Sequence, residues 1–159
     1  MTDDTERKLQ APSAHIDALG DPDLNALQGY WSSLRRGSAV PSRADFDPAK
    51  FPRLLAHMVL FNVESAGRYT VRLVGDAVQS FVGRNTVGKS AGSFMSEHSA
   101  AIMTKILDAV VAERAPKFRA GKAQWSEEIS QRAFEVCFLP WSSNGSDVNI
   151  IMAAVKFPS

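Results

Sequence analysis

The sequence predicts an α+β domain: a mainly antiparallel five-stranded sheet with helices on one face, preceded by an amphipathic helix. Three observations lead there. Five runs rich in apolar and β-branched residues read as strands, at Met58 to Glu64, Arg68 to Val74, Lys117 to Gln124, Ile129 to Leu139 and Val148 to Phe157. All but one of the links between successive strands are short, and they carry turn signals such as Ser65-Ala66-Gly67 and Asn144-Gly145. The one long link contains an apolar stripe at helical spacing. Short links join antiparallel neighbours, and the long helical one lies across the sheet.

Taken in order, residues 1–20 are polar, mixed in charge and weakly periodic, and read as a mobile arm. Asp21-Pro22 is a helix start, with a capping carboxylate and a proline pre-set for the first turn. Behind it Leu24, Leu27, Tyr30, Trp31 and Leu34 recur at helical spacing, and Gly37 marks the stop. This face either packs on its own domain or makes a homodimer or partner contact, because exposed aromatic patches mark interfaces. Asp47-Pro48 opens a short helix over Ala49 to Leu55, interrupted at Pro52. A helical turn over Asp76 to Val82 follows the second strand. Ser96 caps a long helix from Glu97 to about Arg114, whose stripe of Ile102, Met103, Ile106, Leu107, Val110 and Val111 has a period of about 3.6. Pro116 closes it.

Composition excludes several classes of function. At 159 residues and 45% hydrophobic, the chain holds one packed core. Its 18 basic and 17 acidic residues leave a net charge of +1, and there is no basic run to recruit nucleic acid. A single cysteine excludes an internal disulfide framework and fits a reducing compartment. The charged N-terminus is no secretory signal, and no window reaches the roughly 18 apolar residues of a spanning helix. A cytoplasmic, membrane-free protein is expected.

Gly83 to Ser90 (GRNTVGKS) fits the phosphate-cradling pattern G-x-x-x-x-G-K-[ST]. The surroundings argue against it. A phosphate loop joins a parallel strand directly to a helix, and here Gly83 follows a helical turn. Ala91-Gly92-Ser93-Phe94 is a poor first turn, and no later strand ends in an aspartate suited to Mg²⁺. Glu127 and Glu128 are adjacent on a strand and point to opposite faces, so they do not converge on one substrate. His15, His57 and His98 lack metal-ligand spacing. No nucleophile, base and orienting group come together, so no enzyme and no metal are expected.

The run from Arg68 to Ser90 (RYTVRLVGDAVQSFVGRNTVGKS) resembles the second strand and following helices of PAS domains. Further segments resemble the bacterial PAS_5-type proteins: Tyr30-Trp31 through Leu34-Arg35, Val40 to Pro48 (VPSRADFDP), Arg72 to Gly75, and Glu135 to Pro140 (EVCFLP) ahead of an Asn-Gly turn. The resemblance covers roughly residues 22–157. It implies a five-stranded antiparallel sheet with helices across one face enclosing a small cavity, and a role in sensing or protein interaction. Residues 21–157 are then the PAS-like domain, with 21–56 a helical extension and 57–157 the core. No cofactor is expected. The reactive cysteine of flavin-binding PAS domains has no counterpart, since Cys137 lies in a strand, and His98 in the first turn of the long helix is poorly placed as a haem ligand.

Arg72 is mid-strand. Strict alternation puts it with Thr70 and Val74 on one face, and Tyr69, Val71 and Leu73 on the other. Two readings stand open: a surface or salt-bridged arginine, with Glu64 or Glu135 as partner, and a cavity handle for a carboxylate or phosphate ligand. By the resemblance, Val74, Val78, Phe81, Met103, Ile106, Phe134 and Val136 form the apolar wall of that cavity. The expected protein is a stand-alone, dimeric sensory module. It has no output domain, binds a small molecule or a protein partner, and signals through Leu24, Leu27, Tyr30, Trp31 and Leu34. The rival readings are a small-molecule enzyme using the same cavity and a dimerising scaffold with a filled core.

Overall fold

The computed structural model describes residues 13–37, 39–82, 85–93, 97–124 and 131–157. In chain order the elements are β1 (Ser13–His15), α1 (Pro22–Leu34), β2 (Met58–Ser65), β3 (Arg68–Val74), α2 (Asp76–Val82), α3 (Glu97–Glu113), β4 (Lys117–Gln124), β5 (Gln131–Trp141) and β6 (Ile150–Lys156). The strands form one sheet in the order β1-β4-β5-β6-β2-β3, every neighbouring pair antiparallel.

The expectation of five strands is corrected to six. The additional strand comes from the segment read as a mobile arm: Ser13, Ala14 and His15 pair with Gly121, Ala120 and Arg119. The segment is held further by Leu19, which is buried in the core. Asp21 caps α1 as expected, its Oδ1 accepting from the backbone N–H of Asp23 (2.9 Å) and Leu24 (3.0 Å). The helix stops at Leu34, and Gly37 adopts φ +62°, which a residue with a side chain rarely does. The helix expected over Ala49 to Leu55 is instead two short 3-10 turns, Pro48–Lys50 and Leu55–His57, on either side of Pro52. Ser96, the expected cap of α3, lies outside the described residues.

Alternation along the central strands builds two cores. On β5, Cys137 and Leu139 join one cluster and Phe138 the other. On β6, Ile150, Met152 and Ala154 alternate with Ile151 and Ala153 in the same way. The first cluster contains Leu24, Leu27 and Trp31 of α1, and the second Leu107 and Val110 of α3. The sheet therefore has an outer side under α1 and an inner side under α3. Helix α3 covers one face as expected, and the N-terminal helix covers the opposite one.

Candidate functional site

The inner side gathers part of the apolar wall expected from the sequence. Val74, Met103, Ile106 and Val136 are partly buried and pack on the cluster of Phe61, Tyr69, Val71, Leu107, Val110 and Phe138. Phe134, two residues before Val136 on β5, is partly buried with its ring 6.3 Å from that of Phe157. Val78 is partly buried on α2, and the side chain of Phe81 lies outside the described residues. A polar tie closes this side. The Tyr69 hydroxyl on β3 donates to Asp108 Oδ1 on α3, and the Gly67 N–H donates to the same oxygen at 3.2 Å. Burial, then the bond to Asp108, pushes the Tyr69 hydroxyl well above its ordinary pKa, so it stays a neutral donor.

Arg72 is not part of this wall. Leu60 pairs with Leu73 and Phe61 with Val71, which leaves Arg72 as the extra residue of a β-bulge. The extra residue reverses the alternation after it. Val74 reaches the inner side opposite Val59, and Leu73 turns outward opposite Leu60. Arg72 is exposed, and its Nη1 donates to Asn62 Oδ1 at 3.3 Å. Neither carboxylate expected as its partner takes that place. Glu64 accepts from the Thr70 hydroxyl at 2.7 Å, and Glu135 is used elsewhere.

Glu135 belongs to the outer side, where it anchors the start of α1. Its carboxylate accepts from the N–H of Gly20 (2.9 and 3.0 Å to its two oxygens) and of Asp21 (2.9 Å). Its cross-strand neighbour Lys156 reaches Asp23 Oδ2 at 3.2 Å, and Arg53 reaches Asp23 Oδ1 at 3.1 Å. Further along the helix, Trp31 Nε1 donates to the Pro140 carbonyl at 2.7 Å. Leu24, Leu27 and Trp31, expected at an interface, are at most 1% exposed and are taken up by the fold's own core. Tyr30 and Leu34 are partly buried against it. The Tyr30 hydroxyl donates to the Asp45 carbonyl and accepts from the Asp47 N–H. Sequence reasoning missed the anchoring role of Glu135. The available signal was a lone carboxylate inside an apolar strand, which needs a partner, but the partner is backbone and carries no side-chain signature.

The remaining candidates for chemistry are dispersed. Lys89 and Ser90 of the GKS motif lie along the free edge of β3: Val71 N–H donates to Lys89 O (2.9 Å), Gly88 N–H to Val71 O (2.7 Å) and Ala91 N–H to Tyr69 O (2.9 Å). These backbone groups are satisfied by a strand. Gly83 and Arg84, like Glu127 and Glu128, lie outside the described residues. Cys137 is fully buried in the outer cluster, on the side of β5 away from α3, and burial pushes its thiol far up. His98 is exposed in the first turn of α3, and His15 pairs with Asp17 at 3.2 Å. His57 is partly buried, its Nδ1 has no partner among the described residues, and burial, then Lys156, lowers its pKa. Among the described residues, no three His, Cys, Asp or Glu are grouped to hold a metal ion. An open recess of about 300 Å³ lies between α1 and the 50–54 segment, lined by Asp23, Ala26, Lys50, Phe51, Arg53 and Leu54. None of the wall residues named above lines it. No described helix is long and apolar enough to cross a membrane.

An antiparallel sheet with a long helix across an apolar inner side is the arrangement of a PAS-like fold. The family profile described as a PAS domain, PAS_5, matches residues 20–155, and the chain belongs to that family. No curated protein sequence matches it. Among solved structures it is similar to the light-state structure of the blue-light photoreceptor Aureochrome1 LOV, at a TM-score of 0.49 and 8% identity over 72% of this chain and 90% of that one. It is also similar to an RNA-binding Light-Oxygen-Voltage receptor, at a TM-score of 0.49 and 10% identity over 93% of this chain. That alignment spans 39% of the receptor.

Proposed function

We propose that this PAS domain is a sensory module that reads occupancy on the inner side of its sheet and reports it to a protein partner through α1. The observation that carries the reading is the double use of β5. Phe134 and Val136 alternate with Glu135, and Val136 packs on the inner cluster under α3. Glu135, between them, holds the backbone at the start of α1 on the other side. A small apolar ligand seated against Val74, Met103, Ile106, Phe134 and Val136 would shift β5, and Glu135 would carry that shift to Gly20 and Asp21. In this reading residues 57–157 form the sensing core and residues 21–56 the element that reports on it. The ligand acts only through unequal affinity for two arrangements of α1. Arg72, exposed on the outer side, takes no part in holding that ligand.

The test is native mass spectrometry of protein isolated from its own source, set against its denatured mass, followed by hydrogen exchange before and after the bound mass is stripped. The expected result is an additional mass lost on denaturation, with exchange at residues 20–24 changing when it leaves. An extra mass whose removal leaves that exchange untouched would separate ligand binding from signalling and defeat the mechanism. A protein that carries no extra mass, and whose α1 exchange is unaffected by a panel of apolar carboxylic acids and aromatics, would defeat the sensory reading itself.

A further inference from the structure

The bulge at Arg72 has assembled a surface that the sensing scheme does not use. Four large apolar side chains are exposed among the described residues: Leu55 (40%), Leu73 (47%), Val87 (48%) and Ile102. Three of them gather about β3. Leu73 is on the strand itself, turned outward by the bulge. Val87 is on the segment whose Gly88 is hydrogen-bonded to Val71. Leu55 is on the turn whose backbone closely abuts Gly75, just past the strand. Exposed apolar side chains on segments that adjoin one strand are a common mark of a contact surface.

The same surface is cationic. Arg72 lies beside Leu73, and its only hydrogen bond among the described residues is to a neutral side chain, Asn62. Arg43 sits close enough that the Arg72 charge, after partial burial, pushes its guanidinium below the ordinary value. Arg43 lies over the Phe46 ring, 5.4 Å from its centroid, with no carboxylate in contact among the described residues. Lys89, exposed on the edge segment, is a third cation near β3. Glu64, the acidic side chain on β2, accepts from the Thr70 hydroxyl at 2.7 Å. Two arginines that repel each other next to exposed leucine and valine side chains are relieved together by a carboxylate that arrives with apolar neighbours. The cations are few and interleaved with apolar groups, a pattern that suits a protein segment better than a phosphate backbone.

We propose that the outward side of β3, with Leu73 and Val87 as apolar seats and Arg43 and Arg72 as carboxylate anchors, docks an acidic and partly apolar segment of a partner protein. The proposal rests on the signalling reading above and names the chemistry of its partner. The test selects a phage-displayed random dodecapeptide library on the full chain, then measures fluorescein-labelled winners by anisotropy. The selected peptides are expected to be net acidic with interspersed leucine, isoleucine or phenylalanine. Their affinity should fall by about tenfold or more in Arg43→Glu/Arg72→Glu and in Leu73→Asp. Arg43→Gln/Arg72→Gln gives the same direction with a smaller loss and guards against misfolding of the charge-reversed protein. Amide shifts on binding should centre on residues 70–74 and 86–89. Enrichment without acidic bias, no enrichment at all, or acidic winners indifferent to these substitutions would overturn the proposal. So would a concentration-dependent dimer in sedimentation that Leu73→Asp dissolves, which would make a second copy the occupant. Peptide binding with an unresponsive α1 would leave this surface standing while the sensory reading falls, and the converse result would separate them the other way.

Discussion

On the outer side of the sheet Leu24, Leu27, Trp31 and Trp141 are each at most 1% exposed, whereas on the inner side Met103, Ile106, Val74 and Val136 remain partly buried. The outer side also ties its helix by charge and hydrogen bond at several points, through Glu135, Lys156, Asp21 and Trp31 Nε1. On the inner side α3 is tied to the sheet by the contact of Tyr69 and Gly67 with Asp108 and, at its C-terminal end, by Glu113 paired with Lys117 at 2.9 Å. Both sides have fully buried centres, Leu107 and Val110 on the inner one among them, but the helix on the outer side is latched by more polar contacts and the inner side has the longer rim of partly buried apolar residues. Dense packing resists insertion, because added volume forces side chains off their rotamers. In the proposed scheme the occupant sits under α3, and the latched outer side passes on its displacement.

The largest expected effect tests the dense side. Trp31→Ala empties a fully buried site and strands the Pro140 carbonyl, so chemical unfolding should show a loss of about 3–5 kcal/mol. A loss below about 1 kcal/mol would mean that the outer side collapses easily and that the contrast is false. Glu135→Ala removes the acceptor of the Gly20 and Asp21 N–H groups. A destabilisation of about 1.5–3 kcal/mol is expected, with faster exchange at residues 20–24 and none of that acceleration in α3. Tyr69→Phe probes the inner tie. Asp108 is half-buried and keeps the Gly67 N–H, so about 1 kcal/mol is expected, with exchange changes in α3 rather than α1.

The smallest effect is a pH dependence on the latched side. His57 has a folded pKa below its unfolded value, so the unfolded state binds the proton more tightly. Its contribution to stability is therefore complete above the unfolded value, near pH 6.5, and is lost as pH falls through the folded one. Thermal melts of wild type should decline between pH 7 and pH 5.5, and His57→Gln should flatten that part of the profile. An unchanged slope in the variant would assign the decline to other groups.

Much of the fold is legible in the chain because its punctuation is local. Gly67 and Gly75 bracket β3, and Asp21-Pro22 starts α1, so those boundaries follow from turn and cap chemistry. The sixth strand is not legible: Ser13, Ala14 and His15 have no apolar alternation and are a strand only because the edge of β4 is there to pair with. The helical stripe of Leu24, Leu27 and Trp31 announces a buried face without saying what buries it. Its burial against β5 and β6 is a long-range fact. The placing of Leu73 and Val74 failed for a different reason, while Arg72 stays on the face of Thr70 as alternation has it. Alternation assumes a constant period of two, and a single inserted residue exchanges the faces of everything after it. Shared packing is more readable from spacing: Val74, Met103, Ile106 and Val136 do meet in the inner cluster.

The segment from Thr86 to Ala91, hydrogen-bonded along β3, has a consequence for the protein's life at high concentration. An open strand edge is a template on which a second chain can add its own strand, and repeated addition ends in fibrils. By spending its own backbone on that edge, the chain withdraws the template and leaves side chains rather than main chain on offer at β3. Partners at Tyr69 and Val71 then meet side chains rather than an open ladder of main-chain groups, which disfavours strand addition there.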